Sequence, residues 1–205
     1  MTHIGIVGTG AWGTTLGILL ARAGHKTVLW SRTESRAKEL ADARINDRSV
    51  PGIEFPDSMS VTASLDESFA DSELVIVVVP SITIRENIRS IADALPTGSN
   101  VVCATKGIEI STGKRMSQVI SEELPRFDVE RIGVLSGPNL APEIAHGKVA
   151  TATVAFPTDS VGESVQTLLS SDMFRVYRSE DVTGVELGGA LKNVIAIGAG
   201  FIDGA

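Results

Sequence analysis

The N-terminal segment MTHIGIVGTGAWG constrains the fold most, because it places three glycines between an apolar run and a helical pattern. Residues 4–7 are typical of a buried strand, and residues 11–23 have helical spacing. Gly8, Gly10 and Gly13 suit a tight turn, a close approach to a pyrophosphate and close helix–strand packing. The helix N-terminus would add free N–H groups and a positive dipole end. The segment predicts a dinucleotide-binding βαβ unit, with a plain tight turn as the alternative.

Strand-like and helix-like segments alternate along most of the chain. The run LVIVVV at residues 74–79 is apolar on both faces, which is typical of a parallel strand covered by helices. Alternation implies right-handed crossovers and a Rossmann-like α/β fold with a doubly wound, mostly parallel sheet. Residues 46–60 are predicted to be irregular. Further strands are expected at residues 27–30, 100–104, 132–135, 150–155 and 174–177, and helices at residues 33–43, 82–95, 114–124 and 160–170.

The pattern changes near residue 180, where Glu180 and Asp181 precede an apolar, glycine-rich segment, VTGVELGGALKNVIAIGAGFIDGA. The acids are expected to cap one helix. Glu186 and Lys192 interrupt it, so a buried helix is favoured over a membrane span. We assign residues 1–179 to a dinucleotide-binding domain and 180–205 to the beginning of an all-helical second domain. The rest of that domain is expected to be cut off or supplied by another chain, and a homodimer is compatible with this.

The content of charged residues and of cysteine limits the kinds of partner and location that are expected for this chain. The 205 residues contain 18 Lys and Arg against 25 Asp and Glu, a formal charge of −7, which argues against nucleic-acid or anionic-membrane binding. No stable membrane anchor, signal peptide or metal site is predicted. Cys103 is the single cysteine and lies in an apolar run, so we interpret it as a core residue. A chain with no possible intrachain disulfide fits a reducing, cytoplasmic location.

The end of the second strand bears on the choice of cofactor. An NAD-binding unit usually has Asp or Glu there, whereas this chain continues Trp30-Ser31-Arg32, with Arg36 one helical turn later. A guanidinium can bind the 2′-phosphate of NADP(H), so NADP(H) is favoured and NAD(H) stays open. Arg32 could instead face solvent or stack on the adenine of NAD.

Two lysines are candidates for chemistry. Lys106, in CATKGIE, follows a strand and should point a cation at the nicotinamide end of the cofactor; the alternative is a solvated loop lysine. Lys192 lies within the apolar helix, where burial would lower its pKa toward the range for proton transfer. It could also extend its charged end to the surface.

The segment SGPNLAPEIA at residues 136–145 repeats the strand–turn–helix pattern, with Pro142 in the first helical turn. Such a helix start can accept an anion or a carbonyl-bearing substrate near Gly137 and Asn139. Ordinary N-capping by Asn139 is the alternative.

Taken together, the motifs GTGAWGTTL, LWSR, VVVPS, ATKGIE, SGPNLAPEIAHG and ELGGALKNVIAIGAGFIDG resemble the bacterial NAD(P)-dependent glycerol-3-phosphate dehydrogenases. The resemblance implies reduction of dihydroxyacetone phosphate to sn-glycerol 3-phosphate for phospholipid synthesis. It implies that Lys192 is the catalytic lysine and that Lys106 contacts both cofactor and substrate. It further implies that Gly137 and Asn139 contact substrate and that the cofactor contacts are Ala11, Trp12, Arg32 and Ala141.

Length is the main departure from this family. The resemblance implies a helical second domain carrying a further catalytic Asp, a Ser-Arg-Asn phosphate-binding segment and an acidic cofactor contact, and none of these can be matched here. An inert dinucleotide-binding module is therefore the alternative function. A β-hydroxyacid or 6-phosphogluconate-type dehydrogenase also shares the early fold, but ATKGIE and ELGGALKN argue against it.

Overall fold

Eight strands form one sheet in the computed structural model, which describes residues 1–204. The strands are β1 (His3–Val7), β2 (Lys26–Trp30), β3 (Met59–Thr62), β4 (Leu74–Val77), β5 (Asn100–Cys103), β6 (Ile132–Ser136), β7 (Ala150–Ala155) and β8 (Phe174–Ser179). Their order is β3-β2-β1-β4-β5-β6-β7-β8. The strands from β3 to β6 pair in parallel, β7 is antiparallel to β6, and β8 is parallel to β7. The predicted mostly parallel sheet is confirmed.

Helices cover both faces of the sheet. They are α1 (Ala11–Arg22), α2 (Glu34–Ala43), α3 (Leu65–Phe69), α4 (Ile84–Ile91), α5 (Met116–Glu123), α6 (Ala141–Ala145), α7 (Asp159–Leu169) and α8 (Val182–Asp203), with 3₁₀ turns at Ser81–Thr83 and Val129–Arg131. Apolar side chains of α1, α2, α6 and α7 form one core, and those of α3, α4 and α5 form the other. Two cores separated by the sheet define the doubly wound architecture that the alternating pattern predicts.

Several element boundaries differ from the sequence expectation. The strand expected at residues 74–79 ends at Val77, because Val78, Val79 and Pro80 leave the sheet to line a groove. The helix expected at residues 82–95 is a 3₁₀ turn followed by the shorter α4. Strand β3 and helix α3 were not expected; β3 is a four-residue edge strand that overlaps the end of the segment predicted to be irregular.

Helix α8 is the largest departure. Asp181 caps it as expected, accepting a hydrogen bond from the Gly184 N–H at 2.8 Å. Yet only Glu186 is buried along its 22 residues, so the buried helix expected from its composition is not what the described residues form. Its exposed apolar side chains are Leu191, Val194, Ile195, Ile197, Phe201 and Ile202. Among residues 1–204 this is the one helix long and apolar enough to cross a membrane, which is weak evidence because core helices share those properties.

Candidate functional site: a dinucleotide groove beside two lysines

The glycine loop between β1 and α1 is held by two very close backbone contacts. Gly8 has φ of +125°, and a Cβ there would lie 2.2 Å from the Val78 carbonyl oxygen. A Cβ on Gly13 would lie 2.3 Å from the Gly8 carbonyl oxygen. A Cβ on Gly10 would meet nothing within 4 Å. The first and third glycines therefore fold the loop, while the second leaves open space in front of it.

That open space faces the N-terminus of α1. Gly10 is the N-cap, and the first helical hydrogen bond runs from the Thr14 N–H to the Gly10 carbonyl at 2.9 Å. Helix geometry thus leaves the N–H groups of Ala11, Trp12 and Gly13 without an intrahelical acceptor. Three free N–H groups, the helix dipole and the space at Gly10 together fit a pyrophosphate.

A groove of about 470 Å³ continues from this loop along the end of β2. Two arginines, Arg32 and Arg36, lie in its wall, and no carboxylate is among the described residues that line it. Arg32 is exposed and makes no hydrogen bond or ion pair to residues 1–204, whereas Arg36 is anchored by Glu39 and Asn46. A cationic wall without an acid fits a phosphate on the ribose better than a bare 2′-hydroxyl.

A second cavity, of about 350 Å³, lies beyond the glycine loop and is lined by Trp12, Val79, Lys106 and Asn139, among others. Lys106 is half-buried and its Nζ donates to the Gly137 carbonyl at 2.9 Å. Burial, followed by the positive charge of Lys192, lowers the pKa of Lys106. The two lysines predicted from separate motifs are therefore neighbours at one end of the groove.

Helix α8 reaches this place through a close contact at Gly189. A Cβ there would lie 2.4 Å from Ser136 Oγ and 3.5 Å from the Cγ of Lys106, so any larger residue would require the Ser136 side chain to move. Lys192, one turn later, lines a cavity of about 370 Å³ with Gly137 and Gly189.

The first turns of α8 are fixed by a buried carboxylate. Glu186 accepts hydrogen bonds from the Ser117 N–H at 2.8 Å, from Ser117 Oγ at 2.7 Å and from Arg115 Nη1 at 2.7 Å. Its side chain is 2% exposed. Because Ser117 and Arg115 stand at the start of α5, this contact orients α8 relative to the sheet.

Two interpretations made from the sequence require correction. Lys192 is exposed among the described residues, so its expected burial is absent there. The half-buried lysine is Lys106, and burial lowers its pKa. Asn139 is not a helix cap: Leu140 is the N-cap of α6, and Asn139 Nδ2 donates to the Thr151 carbonyl at 2.9 Å.

The structure also places three other residues that the sequence analysis singled out, Trp12, Ala141 and Cys103. Trp12 lines the cavity and packs edge-on against Phe174, with ring centroids 6.1 Å apart. Ala141 is buried at the start of α6, and its carbonyl accepts a hydrogen bond from Thr15 Oγ1 of α1 at 3.0 Å. Cys103 is buried as expected, and burial raises the pKa of its thiol to about 12.

Two residues near the site escaped sequence analysis. Asn46 is buried against the glycine loop, although it lies in the segment predicted to be irregular. Thr105 accepts from the Val79 N–H at 3.1 Å and donates to the Val79 carbonyl at 2.8 Å, which holds the groove wall beside Lys106. Single buried polar residues of this kind follow no periodic pattern in the sequence, so they can be recognised only once the fold is known.

The comparisons with known proteins agree with this geometry. A family model described as the NAD-dependent glycerol-3-phosphate dehydrogenase N-terminus matches residues 3–161, and its C-terminal counterpart matches residues 181–205. The glycerol-3-phosphate dehydrogenase [NAD(P)+] of Dehalococcoides mccartyi (strain ATCC BAA-2100 / JCM 16839 / KCTC 5957 / BAV1) is 43% identical over 205 residues, covering 100% of this chain and 57% of that protein. The same enzyme of Chlorobium limicola is 41% identical over 202 residues, covering 98% and 61%.

Among solved structures, the glycerol-3-phosphate dehydrogenase of Coxiella burnetii superposes with a TM-score of 0.88 at 31% identity, over 99% of this chain and 61% of that one. The chain therefore spans about three-fifths of the length of the curated relatives it matches.

Proposed function

The chain belongs to the NAD-dependent glycerol-3-phosphate dehydrogenase family, and from this premise we propose that it reduces dihydroxyacetone phosphate to sn-glycerol 3-phosphate with a nicotinamide cofactor. One observation carries the proposal. Lys106 follows β5 and packs against Gly189 of α8, and Lys192 lies one helical turn farther along α8, beside a groove whose glycine loop and arginine wall fit a dinucleotide. An inert dinucleotide-binding module has less support, because the relatives match this chain through α8 as well as the sheet.

NADP(H) is the favoured cofactor, with NAD(H) also admitted. Gly8, Gly10, Ala11, Trp12 and Gly13 would hold its pyrophosphate and adjacent groups through the free N–H groups of α1. Arg32 would bind the 2′-phosphate, since its guanidinium is exposed in the groove wall. Ala141 would be a further cofactor contact, and its carbonyl accepts a hydrogen bond from Thr15 Oγ1, which joins α6 to α1.

The proposed chemistry divides between the two lysines. When bound, the nicotinamide supplies the hydride that reduces the ketone carbon. Lys192 donates a proton to the ketone oxygen, a contribution typically worth 10²–10⁴-fold, roughly, in rate. Lys106 orients the carbonyl and stabilises negative charge on its oxygen, which is worth about 3–4 kcal/mol for one well-placed donor. Gly137 and Asn139 border the place where the substrate would lie.

We further propose a domain boundary at residue 180, with residues 1–179 binding the cofactor and residues 180–205 beginning the helical substrate domain. Support comes from the Asp181 cap and from the exposed apolar length of α8, which needs further protein around it. A homodimer is one way to cover it. The acidic charge supports an enzyme with neither nucleic-acid partner nor membrane anchor, and it leaves room for a small anionic substrate bound by a few local donors. The buried single cysteine, Cys103, supports a cytoplasmic location.

The direct test is the consumption of NADPH by the purified protein with dihydroxyacetone phosphate, followed at the nicotinamide absorbance, with identification of glycerol 3-phosphate as product. Dihydroxyacetone, which lacks the phosphate, is the control substrate and should react far more slowly. No turnover by a folded protein that binds NADPH would contradict the enzymatic proposal and restore the inert-module alternative.

Cofactor choice is tested separately with Arg32→Ala. Loss of the exposed guanidinium should weaken NADPH binding about tenfold or more, the value of one charge-assisted hydrogen bond, and leave NADH binding unchanged. Equal affinity of the unaltered protein for both cofactors, or an unchanged ratio in the variant, would contradict the assignment to NADP(H).

A further inference from the structure

Asn46 joins the two ends of the dinucleotide groove. It lies in the loop between α2 and β3, and only 1% of the residue is exposed. Its Nδ2 donates to the Thr9 carbonyl at 2.9 Å and to Thr14 Oγ1 at 2.8 Å. Its Oδ1 accepts from Arg36 Nη2 at 2.7 Å. Every polar atom of this buried amide is therefore used.

The partners of Asn46 belong to different parts of the groove. Thr9 is in the glycine loop, and Thr14 is buried in the first turn of α1, so the amide nitrogen braces the pyrophosphate end from behind. Arg36 lies in the wall with Arg32, so the amide oxygen fixes a guanidinium at the ribose end. Arg36 is mostly shielded, with 22% of its side chain exposed, and its other terminal nitrogen contacts Glu39 at 2.8 Å.

We infer that Asn46 is a positioning residue that sets the preference for NADPH over NADH, by holding Arg36 toward the 2′-phosphate position while bracing the glycine loop. The inference rests on the proposed function and adds a determinant that contacts no cofactor atom. Its oxygen fixes the Arg36 guanidinium without adding negative charge, so Arg36 stays attractive to a phosphate.

The amide is suited to this task because one end donates and the other accepts. An aspartate in its place would still accept from Arg36, but it would lose both donations to the glycine loop. It would also bring a second negative charge to a guanidinium that already contacts Glu39, and so weaken its attraction for a phosphate. The two consequences separate experimentally: loss of loop bracing and repulsion of the pyrophosphate weaken binding of both cofactors, whereas the weaker attraction of Arg36 for the 2′-phosphate adds a loss for NADPH alone.

The test measures dissociation constants for NADPH and NADH with Asn46→Asp in the whole protein, from the fluorescence of the bound nicotinamide. The dissociation constant for NADPH should rise about tenfold more than that for NADH, the value of one hydrogen bond to a charged group. Equal losses for the two cofactors, or no loss, would overturn the inference. An unaltered protein that binds neither cofactor would instead overturn the proposed function itself.

Asn100→Asp is the matched control. Asn100 also accepts a hydrogen bond from an arginine, Arg131 Nη1 at 3.1 Å. It is the first residue of β5, at the opposite end of the parallel strands from the glycine loop. It should leave both dissociation constants unchanged, and a shift like that of Asn46→Asp would overturn the inference.

Arg36→Ala keeps the inference testable if Asn46→Asp fails to fold, because Arg36→Ala alone should weaken NADPH binding selectively. Where Asn46→Asp does fold, adding it to Arg36→Ala should weaken both cofactors equally, because its selective effect acts through Arg36. An unchanged cofactor ratio in Arg36→Ala would overturn the inference.

Discussion

The candidate site has a dinucleotide half, formed by the glycine loop and the groove with Arg32 and Arg36, and a lysine half around Lys106 and Lys192. The two halves differ in how completely residues 1–204 form them. The dinucleotide half is packed to the limit of atomic contact at Gly8 and Gly13, and buried side chains brace it from behind. The lysine half depends on α8, which is fixed near Glu186 and Gly189 and then presents apolar side chains to solvent. Close packing suits a loop that binds phosphate, whereas the lysine half leaves apolar residues of α8 exposed for further protein to cover. The predictions below probe this difference, beginning with the largest expected effect.

Lys192→Ala should abolish most turnover while sparing the dinucleotide half. We expect kcat for dihydroxyacetone phosphate to fall by about 10²–10⁴-fold, because general acid help to the ketone oxygen is lost. NADPH affinity should be unchanged, because Lys192 does not line the arginine-walled groove. Steady-state kinetics and NADPH titration of the same preparation check this.

Lys192→Arg is the companion variant. It retains the charge but cannot give up its proton near neutral pH, so kcat should remain low. Normal turnover in either variant would remove Lys192 from the proposed chemistry and leave Lys106 as the candidate proton donor.

Gly10→Ala and Gly13→Ala should separate binding from folding within the glycine loop. Gly13→Ala places a Cβ 2.3 Å from a carbonyl oxygen and should lower the free energy of unfolding by about 1–3 kcal/mol, as overpacking does. Gly10→Ala meets open space at ordinary backbone angles and should change that free energy by less than about 0.5 kcal/mol.

Both glycine variants should nonetheless weaken NADPH binding, Gly10→Ala because its methyl group fills the expected pyrophosphate position. Chemical denaturation and NADPH titration give the two quantities independently. Full NADPH affinity in a stable Gly10→Ala protein would show that the cofactor does not approach this loop.

Glu186→Gln should weaken the attachment of α8 without altering the groove. An amide accepts through one oxygen only, so at least one of the three bonds from Ser117 and Arg115 is lost, at a cost of about 1–2 kcal/mol in the free energy of unfolding. We expect kcat to fall as α8 loosens, with NADPH affinity retained.

Asp93→Asn is the control for Glu186→Gln. It removes an exposed carboxylate that contacts Arg126 at 3.3 Å, and it should leave denaturation and kinetics unchanged. If Glu186→Gln weakened NADPH binding as strongly as it lowered kcat, the two halves would be coupled more tightly than the structure implies.

The same contrast explains what the sequence could and could not reveal. The glycine loop was predictable because strand, turn and helix follow one another within the first 22 residues, and Lys106 because strand ends line the crevice of such a sheet. Asn46 was missed because its groove partner Thr9 is 37 positions away, and no local pattern marks the pairing. The prediction that Lys192 is buried is wrong for residues 1–204. An apolar sequence indicates that a helix packs against other protein, but it does not indicate which residues the helix packs against.

The smallest effect concerns the N-terminal end of the central strand β1, where His3 lies at the opposite end of the strand from the groove. His3 is 9% exposed, and neither ring nitrogen has a partner among residues 1–204. Burial, with the charge of Lys26, lowers its pKa from 6.5, against an opposing contribution from Asp71. The unfolded chain therefore takes up the proton first, and stability present above pH 6.5 is lost as pH falls from there toward the lower folded pKa.

We thus expect the thermal midpoint to fall between about pH 7.5 and 5.5, and to fall less in His3→Leu than in the unaltered protein. His146→Gln, which alters an exposed imidazole, should reproduce the unaltered profile. NADPH affinity at the higher pH should be the same in all three proteins, because His3 lies at the opposite end of β1 from Gly8. If His3→Leu kept the full pH dependence, that dependence would belong to other titratable groups. If His3→Leu weakened NADPH binding, the N-terminal end of β1 would be coupled to the glycine loop at its other end.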